Sequence, residues 1–455
     1  MTTLRFDQVI PTVHALLGKY FADRTFETTL VRDSFGTLSV VLPDEAVTDA
    51  GSLDELAREL HGALGVYSPG ESQVLLRQSD LIDPADVLES PDRVRLQYVS
   101  NTWLVDRLQT NQDWLREPLV EHPPIPTAVA FSIKGGVGRT TAFALWAWSL
   151  ARAGKNIVLV DLDLEAPGVA GLLLKEGRMP DYGLVDWLIE ALNGQADQAL
   201  LRECLVDSDL ASNEPGRIQV LPAFGLKTSE YVSKLGRIYM PVFASDTGKF
   251  LGLAERLLLL LEQLAGLSDR PDLVMLDSRA GLHDIGSAAV TRLGAEVFMF
   301  ARDDYQSWQA YRELFKHLRK SRNVSIGMSD NDLRWRLKMV GALLDDTAES
   351  SRLRFTDASY GVWSDELYDA GVSAEDEENL KKKGQPIPLQ QVFEREEDTA
   401  PHAPLFVQFD SRVRSFDLIN PENRPDWKII ETAFGGFFSG AFTRLFPDEL
   451  ITGDT

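Results

Sequence analysis

Two kinds of apolar pattern alternate along the middle of this chain. PTAVAFSI at 126–133 and NIVLV at 156–160 are short runs rich in β-branched residues and read as buried strands. Between them AFALWAWSLARAG is apolar almost all round and closes on Gly154, the pattern of a buried helix. The alternation continues with a strand at 217–225 (RIQVLPAFG), a long helix at 253–266 (LAERLLLLLEQLAG) and a strand in LVML at 273–276. AEVFMFARDD at 295–304 and LKMVGALLDD at 337–346 read as two more strands. Strands alternating with helices over this length predict an α/β core with a doubly wound, mostly parallel sheet.

The flanks follow other patterns. Within 1–120, FDQVIPTVHALLGKYF has helical spacing, TFETTLVRDSFGTLSVVLP reads as a hairpin, and SLDELARELHGALG is a second amphipathic helix. SQVLLRQ and DRVRLQYVS read as strands, which makes this an N-terminal α+β module without a catalytic signature. Trp103 and Trp114 are expected to be packing anchors, and EHPPIP at 121–126 a stiff link to the core at 126–346. In the remainder, 347–455, a charged, proline-punctuated stretch at 374–404 reads as a solvated insertion. After it, 426–446 predicts a C-terminal helical extension, with Trp427, Ile430, Phe434, Phe437, Ala441 and Leu445 at helical intervals. That segment holds only Lys428 and Arg444 as cations, where a helix lying on a membrane wants a basic face. Docking on the core or on a partner is therefore expected over membrane binding.

The junction between the first core strand and its helix carries the candidate chemistry. Lys134, Gly135, Gly136, Val137, Gly138, Arg139, Thr140 and Thr141 form a glycine-rich turn in strand–turn–helix context, the setting of a phosphate-binding loop. Glycines let the backbone approach phosphate oxygens, and the N–H groups at the helix start point at the anion. Thr140 stands where a loop hydroxyl ligates Mg²⁺. Asp161, Asp163 and Glu165 close the second strand and point into the crevice where open α/β sheets take ligands. Asp277 closes LVML, a geometry in which a carboxylate reaches Mg²⁺ directly or through water.

KGGVGR resembles the deviant Walker A motif, KGGxGK[ST], of the ParA/MinD/NifH-like P-loop ATPases, in the variant whose second basic residue is arginine. The resemblance covers roughly 126–346 and extends only faintly to PLFVQFDSRV at 404–413, which it implies to be the last strand and adenine-side loop. It implies that Arg139 holds the β/γ-phosphates of ATP and that Asp163 helps position water and metal. Asp277 is the implied Walker B carboxylate. Lys134 is the implied signature lysine, which reaches across an ATP-dependent homodimer to the other subunit's nucleotide. A switch acting on a protein partner follows, and relatives with this motif resemble components of bacterial conflict (antiphage) systems. The alternatives are a non-hydrolysing nucleotide-binding scaffold and, last, a P-loop kinase, for which no tyrosine-rich tail is present. Arginine supplies a permanent, bidentate cation but differs from lysine in shape. A misplacement of ~1 Å can cost about a hundredfold in rate, so the expectation is binding with slow hydrolysis.

Charge narrows the partners. The net charge is −23, from 46 basic and 69 acidic residues, which disfavours nucleic acid. The one basic cluster, LFKHLRKSRN at 314–323, reads as the solvated end of a helix. A single cysteine, Cys204, permits no internal disulfide and suits a reducing compartment. No run approaches the ~20 apolar residues of a membrane span, and the N-terminus lacks a signal-peptide pattern, so a cytoplasmic location is expected. The six histidines show no zinc-ligand spacing, and His283, near Asp277, is expected to be a surface or core residue.

Overall fold

The computed structural model describes residues 4–450 except 22–24, 47–49, 91–92, 97–98, 100, 108–110, 120, 244–249, 321–331, 345–348, 369–392 and 414–416. Part of the basic cluster and most of the charged insertion therefore lie outside the described residues. The chain divides after Glu117 into two compact units.

In the first unit, β1 (Thr28–Arg32) and β2 (Leu38–Leu42) pair antiparallel as the expected hairpin. Asp33 shapes its turn: the carboxylate accepts the N–H groups of Phe35 (2.9 Å) and Thr37 (2.8 Å), while Gly36 takes φ +90°. α1 (Val9–Tyr20) buries Val9, Val13 and Leu17, and α2 (Ala50–Leu64) buries Leu56, Leu60 and Leu64. These two stripes meet Leu30, Leu38 and Val40 of the hairpin in one core. β3 (Leu75–Arg77) and β4 (Arg93–Arg95) fall where strands were expected. β5 (Thr102–Asp106) was not expected; it runs parallel to β1 within the order β3-β2-β1-β5-β4. Trp103 lies on β5 beneath the Arg93 guanidinium, 4.3 Å from the ring centre, and Trp114 is buried.

The second unit is built on a sheet of eight strands. They are β6 (Thr127–Ser132), β7 (Asn156–Leu162), β8 (Val206–Asp207), β9 (Arg217–Leu221), β12 (Leu273–Ser278), β13 (Glu296–Ala301), β14 (Leu337–Leu344) and β15 (Leu405–Gln408), in the order β15-β14-β13-β6-β12-β7-β9-β8. A separate two-residue ladder pairs β10 (Val242–Phe243) with β11 (Phe250–Leu251). Every neighbouring pair in the large sheet is parallel except β8–β9, so the mostly parallel α/β core stands, with one antiparallel edge. The chain leaves β6, builds outward through β7 and β9, returns to β12 and then builds the other side. Loops at the carboxyl ends of β6, β12 and β7 thus border the switch in strand order, where such sheets bind ligands.

α3 (Pro84–Leu88) belongs to the first unit; in the second, α4 (Arg139–Arg152) follows β6. α4 begins three residues before the apolar run, because Gly138 adopts φ +76° at its N-cap and places Arg139, Thr140 and Thr141 in the first turn. The helix is buried nearly all round, since it lies between the sheet and the C-terminal helix Trp427–Leu445. Phe437 of that helix reaches Phe143, Trp146, Phe298 and Phe300 with ring centres 5.6 to 6.5 Å apart. Ile430, Phe434 and Ala441 are buried beside it, so the apolar face of this helix is covered by the unit's own core. Among the described residues no helix is long and apolar enough to cross a membrane.

Candidate functional site

β6 is buried along its whole length and delivers the chain to a turn in which Gly136 (φ +71°) and Gly138 (φ +76°) are left-handed. A side chain at either would be strained there, which is the physical reason for glycine at these two positions. Thr140, in the first turn of α4, donates its hydroxyl to Asp277 Oδ2 at 2.6 Å. Register makes this possible: Asp277 lies opposite Ala130 of β6 and opposite Asp161 of β7.

Arg139 faces the strand ends. Its Nε donates to Asp277 Oδ1 (3.3 Å), its Nη1 to Ser132 Oγ (2.7 Å), and its Nη2 lies 3.6 Å from Asp163 Oδ2. The guanidinium is itself buried, so one permanent cation neutralises carboxylates from two strands. Burial pushes the Asp277 carboxyl up to about 6, opposed by the Arg139 charge and the Thr140 hydroxyl. Burial also raises Asp163, against the N–H of Ala166 on its Oδ1 (3.2 Å) and the pull of Arg139.

Asp161 behaves differently from its neighbour. Fully buried, it accepts N–H groups from Asp163 (3.1 Å), Gly168 (3.0 Å) and Val169 (3.0 Å), thereby fixing the loop that presents Asp163. Burial and then the Asp277 charge push its carboxyl up to about 7 despite those donors. Glu165 points elsewhere, to Arg279 at 3.1 Å and the Tyr239 hydroxyl at 2.6 Å. Lys134 is half-buried and bonded within its own chain, to Gln306 Oε1 and, at 3.5 Å, Asp304 Oδ1. His283 is exposed. Cys204 is buried with its thiol pushed up by desolvation, 3.6 Å from the Gly183 carbonyl.

A cavity of about 420 Å³ opens beside the loop. Gly136 to Thr141 form one wall together with Ser132, whereas Lys134 and Gly135 are outside its lining. The rest of the lining comes from Leu343, Val407, Phe409, Val413 and Phe434, with the polar Gln408 and Asp410 among them. The 404–413 stretch therefore does supply the last strand of this sheet and a loop facing the glycine turn. Leu343 carries φ +55° where the β14–β15 register shifts, and this irregularity turns it toward Gly138. Sequence patterning alone did not single out Ser132, Leu343 or Phe409. The only signal for Ser132 is a hydroxyl inside an otherwise apolar run.

A parallel sheet whose central strand feeds a glycine loop into a buried helix, with an acid from the adjacent strand bonded to the loop's threonine, is a P-loop NTPase core. Among curated proteins, 79 residues of this chain are 44% identical to one described as a putative septum site-determining protein MinD from Oltmannsiellopsis viridis. That stretch is 17% of this chain and spans only 23% of the relative's length. No family model matches the chain. Solved structures similar to it include a ParA family ATPase from Chlorobium tepidum, 15% identical, covering 70% of this chain and 98% of its own with a TM-score of 0.39. Another is MinD from Pyrococcus horikoshii complexed with Mg-ADP, 16% identical, covering 72% of this chain and 99% of its own, also at 0.39. At such identities and scores the functional reading rests on the residues of this chain.

Proposed function

We propose that this chain binds ATP with Mg²⁺ in the cavity beside the loop and hydrolyses it slowly, using the bound state as a dimerisation switch for a protein partner. The supporting observation is the cavity's two-sided chemistry. The glycine loop and a basic residue stand on one side, Leu343, Val407, Phe409, Val413 and Phe434 with the polar Gln408 and Asp410 make up the rest, and the volume is in the range of ~300–1,000 Å³ typical of ligand sites. The triphosphate lies along Gly136 to Thr141, and the base lies against Val407 and Phe409.

Mg²⁺ suits the donor set. Thr140 lines the cavity and Asp277, bonded to it, lies just behind that wall with Asp163 near by; Mg²⁺ is usually held by one or two carboxylates plus substrate phosphates. No group of three or more His, Cys, Asp or Glu able to hold a metal occurs among the described residues, so the phosphates must complete the shell. Bound there, the ion would offset charge on the transferring phosphoryl group. Asp163 orients the attacking water, and Arg139 turns from the acids to the phosphates.

A second reading, a scaffold that binds without hydrolysing, is favoured by one observation: Arg139 is larger than lysine and held by two hydrogen bonds and an ion pair. Titration calorimetry with ATP–Mg²⁺, paired with phosphate-release assays, separates the two. Binding with slow turnover supports the switch, and binding with none supports the scaffold. No binding removes both.

A further inference from the structure

Ser132 ends β6 and is fully buried, yet its hydroxyl is bonded on both sides. It accepts from Arg139 Nη1 at 2.7 Å and donates to the Lys134 carbonyl at 2.9 Å. With Nε bonded to Asp277 and Nη2 in an ion pair with Asp163 at 3.6 Å, each nitrogen of the fork faces a different oxygen. Lysine could not reproduce this. Its ammonium nitrogen falls where the arginine carries Cζ, one bond short of the nitrogens that meet Ser132 and Asp163, and a point charge does not match a planar fork. In the proposed function Arg139 turns from these acids to phosphates along the loop, and that turn breaks the Ser132 bond.

We propose that Ser132 is a positioning residue that stores Arg139 against Asp277 and Asp163, and that it thereby tunes nucleotide affinity in a manner specific to arginine. This rests on the nucleotide-binding reading above. When the binding-competent state is only fractionally populated, apparent Kd rises by the reciprocal of that fraction. A hydrogen bond from a charged donor corresponds to a factor of roughly ten to a hundred in such an equilibrium.

The test is a double-mutant cycle by calorimetry with Mg-ADP on the full chain: wild type, Ser132→Ala, Arg139→Lys and the double variant. Ser132→Ala is expected to bind about tenfold more tightly than wild type, and the same change in the Arg139→Lys background to shift affinity less than about twofold. The donor lost by the Lys134 carbonyl is common to both backgrounds and cancels. Ser132→Cys keeps the volume with a weaker acceptor and is expected to shift affinity in the same direction, which covers the case of a poorly folding alanine variant. Equal shifts in both backgrounds, or none in either, overturn the proposal while leaving nucleotide binding intact. A wild type that takes up no Mg-ADP or ATP–Mg²⁺ removes the nucleotide reading and this inference together.

Discussion

Thr140 and Asp277 stand 137 positions apart and share a hydrogen bond of 2.6 Å. Both carboxylate oxygens of Asp277 are engaged, one by this hydroxyl and the other by Arg139 Nε. Nucleotide and metal must therefore rearrange both residues. We expect Arg139→Ala or Thr140→Ala to weaken ATP–Mg²⁺ binding at least about tenfold, the order of one charge-assisted hydrogen bond. Arg139→Lys is expected to retain binding and to turn over faster. Unchanged calorimetric affinity in Arg139→Ala would sink the assignment.

The two acids should separate by role. Asp163→Ala is expected to bind ATP but release little phosphate, because the water loses its orientation. Asp277→Ala should also lose the metal dependence of binding. Phosphate release at the wild-type rate in either variant would make the carboxylates purely structural.

Lys134 now rests on Gln306 and Asp304 of its own chain. If its working contact is another subunit's nucleotide, Lys134→Ala should still bind ATP but remain monomeric, while wild type dimerises with ATP and poorly with ADP. Light scattering decides: a mass indifferent to nucleotide, or normal dimerisation of the variant, removes the switch.

The α/β core was legible because strands buried on both faces are continuous apolar runs, as β6, β7 and β12 are. β8 and β5 escaped, one being two residues long and the other the five-residue run TWLVD, whose tryptophan reads as a packing anchor. The loop motif was legible as residue types at fixed spacing, but what those residues touch depends on register. Nothing in the sequence places Asp161 and Asp277 opposite each other, or bonds Ser132 to Arg139. The left-handed Leu343 is likewise set by a register shift between β14 and β15, which composition does not encode.

Phe437 is fully buried among four aromatic rings contributed by α4 and β13. Truncating such a side chain costs about 3–5 kcal/mol, through lost transfer energy and the cavity left behind. Phe437→Ala is expected to lower the denaturant midpoint accordingly. A loss below about 1 kcal/mol would mean that this helix contributes little to the core.

Lys338 on β14 is buried, with its ammonium donating to the Ala400 carbonyl at 3.1 Å. Burial, reinforced by the Arg444 charge, lowers its pKa from 10.5 to about 7. Between those values the unfolded chain holds the extra proton, so this residue's contribution to stability rises with pH and is lost as pH falls from 10.5 toward 7. The slope is about 1.4 kcal/mol per pH unit at most. Lys338→Met lacks the proton, so wild type should gain on it in urea melts between pH 7.5 and 9.5, both values chosen to lie inside that window. Parallel curves would refute the shift.

The cavity's far wall has a consequence for how the molecule is made. The glycine loop and α4 lie in the first third of the chain, whereas Val407, Phe409, Val413 and Phe434 lie near its other end. Domains fold as they leave the ribosome, N-terminal parts first. On a nascent chain the phosphate cradle can therefore exist while the surface opposite it is still unsynthesised. A ligand gripped from both sides becomes possible only once β15 and the helix Trp427–Leu445 have docked, so translation itself delays when this site can first be filled.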